Sequence, residues 1–402
     1  MLTRRSFLRS SAIVLAGAGT APAWLLRAAA QGAQGKGRNK ILVAIFQRGA
    51  ADGLNMVVPF FEPRYYQLRP SIAIAQPGKP NGGLDLNGQF ALHPVLQPLK
   101  AMWDSRQLAI VHAAGSHDPS RSHFDAQEFM ECGTPGMKRE DGWLNRALTP
   151  VVRDSSPVRA IASGAQLPKT LQGSHGAIAV DSLPRFQVAD RAGAALLEQL
   201  YATSMDAQLK AQGQATFDAV KLIESVRTRP YTPSGGAQYV GDFGQRLQQI
   251  ARLIKADVGV EVAFADIGGW DHHANETGQL TTQLRQFGAS LAAFTQDLGD
   301  RMEDVVLVTM SEFGRTAAEN GNAGTDHGHG NVMMVLGGGV RGGQLYGQWP
   351  GLEAEQLYER RDLAVTTDFR DVLGELVSGH LGQKVDQVFP GHTPKTKVGL
   401  LL

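Results

Sequence analysis

Apolar and β-branched residues gather in six short runs along the chain, at 40–46, 108–113, 158–162, 260–265, 305–309 and 332–336. Each has the length of a strand and shows no polar alternation, so each predicts a strand buried in the sheet of a folded domain. Between 277 and 300 the pattern changes. Leu280, Leu284, Phe287, Leu291 and Phe294 recur at spacings of three and four, which places them on one face of a helix. Buried strands alternating with helices predict an α/β fold: a doubly wound, mostly parallel sheet flanked by helices. The stretch 181–252 is rich in Gln and Ala, is broken by the Pro- and Gly-rich segment 228–236, and predicts a mostly helical insertion or cap.

The N-terminus reads differently. Arg4 and Arg5 precede Phe7 and Leu8, a mild apolar region covers 13–19, and Ala28, Ala29 and Ala30 supply small residues for cleavage near Gln31. This order predicts a twin-arginine signal peptide over 1–30, followed by a flexible linker at 31–39 and one large domain at 40–402. The expectation is export in folded form to the periplasm or beyond, with the twin-arginine translocation machinery as a partner during export. No later apolar run reaches the ~18 residues of a spanning helix, so no membrane attachment is expected after cleavage.

Composition narrows the chemistry. A net charge of +1 offers no global attraction to nucleic acid or to an anionic membrane, and nucleic-acid binding is not expected. Cys132 is the only cysteine. It can form no internal disulfide and no cysteine-based zinc site, so a metal site has to use histidine and carboxylate.

Clusters of such residues lie beside the predicted strands, usually just after them, where open α/β sheets build their sites. Asp52, in the small-residue turn 48–55, is either a hard-metal ligand or the carboxylate of an Asp-Gly turn. Ser120 and Ser122 precede a predicted helix, where a serine is either a nucleophile held beside an anion or an N-cap. Asp271, His272 and His273 follow Trp270, and Asp271 and His273 can converge on zinc or manganese above that ring. Glu312 is a candidate ligand or general base. Arg315 is either a clamp for an oxyanion or the structural partner of a carboxylate. Asp326, His327 and His329, in a Gly-rich turn ahead of the last run, form the strongest metal-like pattern in the chain. Neither a HExxH helix nor a GxSxG elbow is present to name a protease or lipase.

Taken in order, the segments around Asp52, 122–126, 142–145, 269–273, 311–316 and 326–331 resemble the bacterial exported family known as domain of unknown function 1501. The resemblance runs from about 41 to 401. That family in turn is similar to a distant branch of the alkaline phosphatase and sulfatase superfamily, which implies metal ions at the strand ends. By that resemblance Asp52 is the first-strand aspartate ligand, Asp271 and His273 the aspartate–histidine pair, and His327 or His329 the late histidine. Glu312 and Phe313 stand where the superfamily has Asp-His, so the resemblance leaves a second ion's site either depleted or rebuilt with His272 or Asp326. It also implies a nucleophile at the helix leading to Cys132, in a register that selects His123 rather than Ser122. The implied activity is hydrolysis of a phosphate or sulfate ester with zinc, manganese or calcium, with Arg315 stabilising transition-state charge. The rival expectations are a non-catalytic protein that holds a metal, a glycan or a partner on the same fold, and a metal that serves folding alone.

Overall fold

The computed structural model describes residues 39–148, 155–186, 191–395 and 397–402. The expected signal peptide and the linker up to residue 38 lie outside them. The elements, in chain order, are β1 (Ile41–Gln47), α1 (Gly53–Met56), β2 (Val57–Val58), α2 (Pro63–Leu68), β3 (Leu84–Asp85), β4 (Ala91–Leu92), α3 (Gln97–Asp104), β5 (Leu108–Gly115) and α4 (His123–Cys132). They continue with β6 (Ala160–Ser163), β7 (Ile178–Val180), α5 (Arg191–Ala202), α6 (Ala207–Thr228), α7 (Gly241–Lys255), β8 (Val262–Ile267) and α8 (Glu276–Leu298). The last are β9 (Val305–Met310), β10 (Asn331–Gly337), β11 (Gln344–Tyr346), β12 (Thr367–Asp368) and α9 (Phe369–Gly379), with shorter turns of helix between.

The main sheet has the order β11-β5-β10-β9-β1-β8-β6-β7, with β12 also beside β5. All six expected strands lie in it. β1 pairs in parallel with β8 and β9, and β6 with β7 and β8, whereas β10 runs antiparallel to both β5 and β9. The connection from β9 to β10 explains that exception. Parallel neighbours need a crossover helix, and residues 311–330 contain none, so the chain can only turn back at the same end of the sheet. A loop of that length without regular structure is uncommon inside a compact domain unless it serves a site.

Burial on both faces accounts for the unbroken apolar runs. Along β1, Ile41, Val43 and Ile45 enter one core cluster while Leu42, Ala44 and Phe46 enter the other. The first cluster takes Leu99 and Trp103 from α3, Leu247 and Ile250 from α7, and Leu284, Phe287 and Phe294 from α8. The second takes Met130 from α4 and Val372, Leu373 and Leu376 from α9.

The stretch expected as a helical insertion holds α5, α6 and α7. Only part of it stands apart from the sheet. Leu222, Ile223 and Val226 of α6 and most of the apolar face of α7 lie in the first core cluster, so α7 is a covering helix that feeds β8.

Phe287 is fully buried in α8 and meets Trp270 edge-on at 5.7 Å. Phe287→Ala is expected to destabilise the domain by about 3–5 kcal/mol, against less than about 0.5 kcal/mol for Thr282→Ala on the exposed face of the same helix. Urea denaturation of the two variants checks this.

Candidate functional site

Four loops meet at the carboxyl end of the sheet: the turn after β1, the approach to α4, the loop after β8 and the β9–β10 loop. The β1 turn has to be tight. Gly49 lies at φ 114°, and a Cβ placed on it would stand 2.8 Å from the backbone nitrogen of Asp271. Only glycine accepts both conditions. The N–H of Gly49 donates to Glu312 Oε1 at 2.8 Å and so fastens β1 to the segment after β9.

Glu312 is buried and gathers donors. Besides Gly49, its Oε1 accepts from the Gln127 amide at 2.9 Å and lies 2.7 Å from His123 Nδ1, while Oε2 accepts from the Ser311 hydroxyl at 3.1 Å. Burial works to raise the carboxyl, but the hydrogen bonds from His123, Gln127 and the backbone outweigh it and hold it below its ordinary range. An ionised carboxylate only accepts. The proton of His123 therefore sits on Nδ1, and Nε2 faces the other way, into the site. The same hydrogen bond to Glu312, against burial, raises the pKa of His123.

Two more rings are held in the same manner. His327 Nδ1 lies 2.9 Å from the backbone carbonyl of Arg121, a group that can only accept, and burial lowers the pKa of this ring. His273 Nδ1 lies 3.1 Å from Asp326 Oδ1, which also accepts from the Asn320 amide at 3.1 Å. The Asn320 hydrogen bond, and after it His273, keep the Asp326 carboxyl below its usual range.

With Nδ1 of each ring turned outward to an acceptor, the three Nε2 atoms point toward one another. His327 Nε2 is 3.0 Å from Nε2 of both His123 and His273. Asp271 Oδ1 lies 3.1 Å from His327 Nε2 and 2.9 Å from His273 Nε2, and Asp271 Oδ2 lies 3.4 Å from His123 Nε2. Burial works to raise the Asp271 carboxyl, but Arg315, bonded through Nη1 at 2.6 Å, and the neighbouring histidines hold it low. Lone pairs and an anion at these separations repel unless a cation or an extra proton lies among them. His123, Asp271 and His327 each offer one ligand atom, all within 4.8 Å of one another, and so form a group able to hold a metal ion. The donor set fits such an ion: neutral imidazoles whose other nitrogen donates to a carboxylate or carbonyl, plus one carboxylate.

The other expected site residues are placed elsewhere. Asp52, expected as a metal ligand, is buried and spent on Arg69, which donates to Oδ2 from Nη1 at 2.5 Å and to Oδ1 from Nη2 at 3.0 Å; Asp52 Oδ1 also accepts from the Leu54 N–H at 3.2 Å. Burial works to raise this carboxyl and Arg69 holds it down, whereas burial and the Asp52 charge push Glu276, hydrogen-bonded to it, well up. His329 is buried away from the cluster, stacked on Tyr358 at 4.2 Å, and burial lowers its pKa to about 4. His272 is buried too, its pKa lowered by burial, and its ring joins none of these contacts. Glu312 is turned onto the His123 ring and is not part of the ligand group. Arg315 is buried, with Nε on Thr325 Oγ1 and Nη2 on the Thr325 carbonyl, and so is the partner of Asp271 and not a free clamp. Ser122 is exposed at the N-cap of α4 and its side chain makes no capping bond. Asp326 backs His273 and is not part of the ligand group.

Several residues in this arrangement carry no sequence signal. Arg69, Glu276 and Thr325 lie in unremarkable polar surroundings, and Gln127 is one amide in a helix. The carbonyl of Arg121 could not be read from any side chain.

Fold and site together define an α/β protein whose sheet carries a His/Asp cluster, able to hold a metal ion, at its carboxyl edge. The chain belongs to the family described as "Protein of unknown function (DUF1501)", which matches residues 39–387. No curated protein matches it. Among solved structures it is similar to PsFucS1 sulfatase from Pseudoalteromonas sp., at 10% identity over 95% of this chain and 78% of that one, with a TM-score of 0.37. It is also similar to the C-terminal periplasmic domain of EcEptC from Escherichia coli, at 9% identity over 75% and 74% of the two chains and a TM-score of 0.34. A variant of TAB5 alkaline phosphatase matches at 8% identity over 75% and 91%, with a TM-score of 0.30. These likenesses carry no residue role across.

Elemental analysis of zinc-reconstituted protein is expected to find metal in the native chain and in His329→Gln, and to lose it in Asp271→Ala and His327→Ala. Arg69→Ala is expected to destabilise the fold by about 3–5 kcal/mol, because it strands a buried carboxylate. Since the folded Asp52 carboxyl lies below its ordinary value of 3.8, the contribution of this pair is present above that pH and lost as pH falls through the folded value. Denaturant titrations between neutral and acid pH, native against Arg69→Ala, check both points.

Proposed function

We propose that this protein is an exported, metal-dependent hydrolase of phosphate or sulfate esters in which water, and not a side-chain hydroxyl, attacks the ester. The observation that carries the reading is the convergence of His123, His327 and Asp271 at the strand ends, with His273 at the exposed rim of the same cluster. Two imidazoles and one carboxylate, from His123, His327 and Asp271, suit zinc or manganese better than calcium, which prefers oxygen. When bound, a divalent ion supplies Lewis acidity that polarises an ester oxygen and neutralises its charge.

The protein's own groups divide the remaining work. Glu312 and the Arg121 carbonyl fix the tautomers of His123 and His327, and Arg315 keeps Asp271 ionised. His273 is 45% exposed and is backed by Asp326, an Asp–His dyad of the kind that serves as general base. Water attacks phosphorus or sulfur and yields its proton to His273 Nε2. Asp326 steadies the imidazolium, the bond to the leaving oxygen breaks, and that oxygen takes a proton from solvent. Ser122 has no part in this scheme. A non-catalytic metal-binding protein is the second reading. It is favoured by Phe313, whose ring lies 5.0 Å from His123 and 5.1 Å from His327, where the resemblance implies a ligand histidine.

His273→Ala is expected to retain metal and lose about 10²–10⁴-fold in turnover of chromogenic phosphate or sulfate esters, while Ser122→Ala keeps native turnover. Stoichiometric metal with no turnover of any ester in the native protein selects the second reading.

A further inference from the structure

Beside the cluster, across Gln127, lies an open cleft of about 560 Å³ at the carboxyl ends of β6 and β8. That volume falls in the range of small-molecule sites, about 300–1,000 Å³. Its walls include Arg48, Gln127, Ser163, Lys169, Gln172 and Arg246, over a floor that includes Phe264.

The cleft is fixed from behind. Glu131 is buried; its Oε1 accepts from Arg48 Nη1 at 2.9 Å, and its Oε2 accepts from the N–H and the hydroxyl of Thr170, both at 2.9 Å. This one carboxylate joins the Lys169 loop, α4 and the β1 turn. Arg48 Nε also donates to Asp266 Oδ2 at 2.8 Å, and Arg246 Nη1 donates to Asp266 Oδ1 and to the Asp266 carbonyl. Three cations, Arg48, Lys169 and Arg246, therefore face two carboxylates, Glu131 and Asp266. Among the described residues Lys169 makes no ion pair, and neither guanidinium uses its Nη2. One positive charge and two guanidinium edges remain for a ligand. Around them stand the Ser163 hydroxyl and the amides of Gln127 and Gln172, groups that both give and accept hydrogen bonds.

We propose that this cleft binds a singly charged, polyhydroxylated carboxylic acid of sugar size, its carboxylate on Lys169 and the two arginines and its hydroxyls on the amides and Ser163. Gln127 joins the cleft to the cluster: its Oε1 accepts from Arg48 Nη1 at 3.0 Å and its Nε2 donates to Glu312, which holds His123. Given the hydrolase reading, the acid is the part of the substrate that carries the ester, so the assignment names a substrate class for that site. The binding itself depends on none of the metal ligands.

Calorimetric titration of the full chain after treatment with chelator tests this, with galacturonate, glucuronate and gluconate as probes and galactose and inorganic sulfate as controls. Expected are saturable binding of at least one acid at millimolar concentration or below, with galactose and sulfate at least ~10-fold weaker. Lys169→Ala, a change on a half-buried side chain without an ion pair, and Arg246→Gln are each expected to weaken the acid by ~10-fold with unchanged thermal melting. Absence of binding by all three acids, equal binding of galactose or sulfate, or indifference to Lys169→Ala overturns the assignment. Because the titration omits metal and turnover, failure of the hydrolase reading leaves its result standing, and a negative titration beside measurable ester turnover sinks the cleft alone.

Discussion

Charge that has been taken out of water must find its complement, and at the carboxyl end of this sheet that requirement fixes the positions of nearly every polar group. Asp52 and Arg69 neutralise each other beneath the β1 turn. Glu276, beside Asp52, has its carboxyl pushed well up by burial and by the Asp52 charge, and it accepts from the Thr325 hydroxyl at 2.7 Å. Thr325 in turn accepts from Arg315 Nε at 3.1 Å, and Arg315 ends on Asp271. A chain of buried partners thus runs from the first strand to the rim of the cluster. Each member is satisfied only while the next is in place, which is the condition under which a buried polar network gives one arrangement and not several.

The same logic explains why three imidazoles turn their Nε2 atoms toward one another. Each Nδ1 faces an acceptor outside the cluster: Glu312, Asp326 or a backbone carbonyl. Those acceptors sit on separate loops, so the orientation of the rings is a property of the packed sheet end and not of any one segment. Gly49 makes this possible by letting the β1 turn pass within contact of the loop that bears Asp271. On the far side of Gln127, Glu131 plays a comparable role for the basic cleft, anchoring its wall to α4 and to Arg48.

Part of this is legible in the amino-acid sequence. The six apolar runs are strands because residues buried on both faces of a sheet leave no polar alternation, and β1 shows that division residue by residue. The three- and four-residue spacing around Leu284 and Phe287 marks α8 because one face of that helix is buried. Polar clusters just after the runs locate the site, since parallel strands end together, and His273, Asp271 and His327 stand out in this way. The misplaced residues have a common form: Asp52, His272 and His329 have the right chemistry and lie in the right loops, yet their side chains turn into the interior, toward Arg69, into the core and onto Tyr358. Periodicity says which face of a strand or helix a residue occupies, but a loop has no period.

What the sequence determined alone is the six core strands and the long helix α8, their α/β class and the end of the sheet at which chemistry-bearing residues gather, because each of these follows from local hydrophobic pattern and chain direction. The tertiary structure decided which of those residues meet. Arg69 reaches Asp52 across 17 positions, and Glu312 reaches His123 across 189. Whether a carboxylate binds a metal, orients a ring or neutralises a guanidinium depends on the partner that packing brings to it, and no local pattern encodes a contact between residues so far apart.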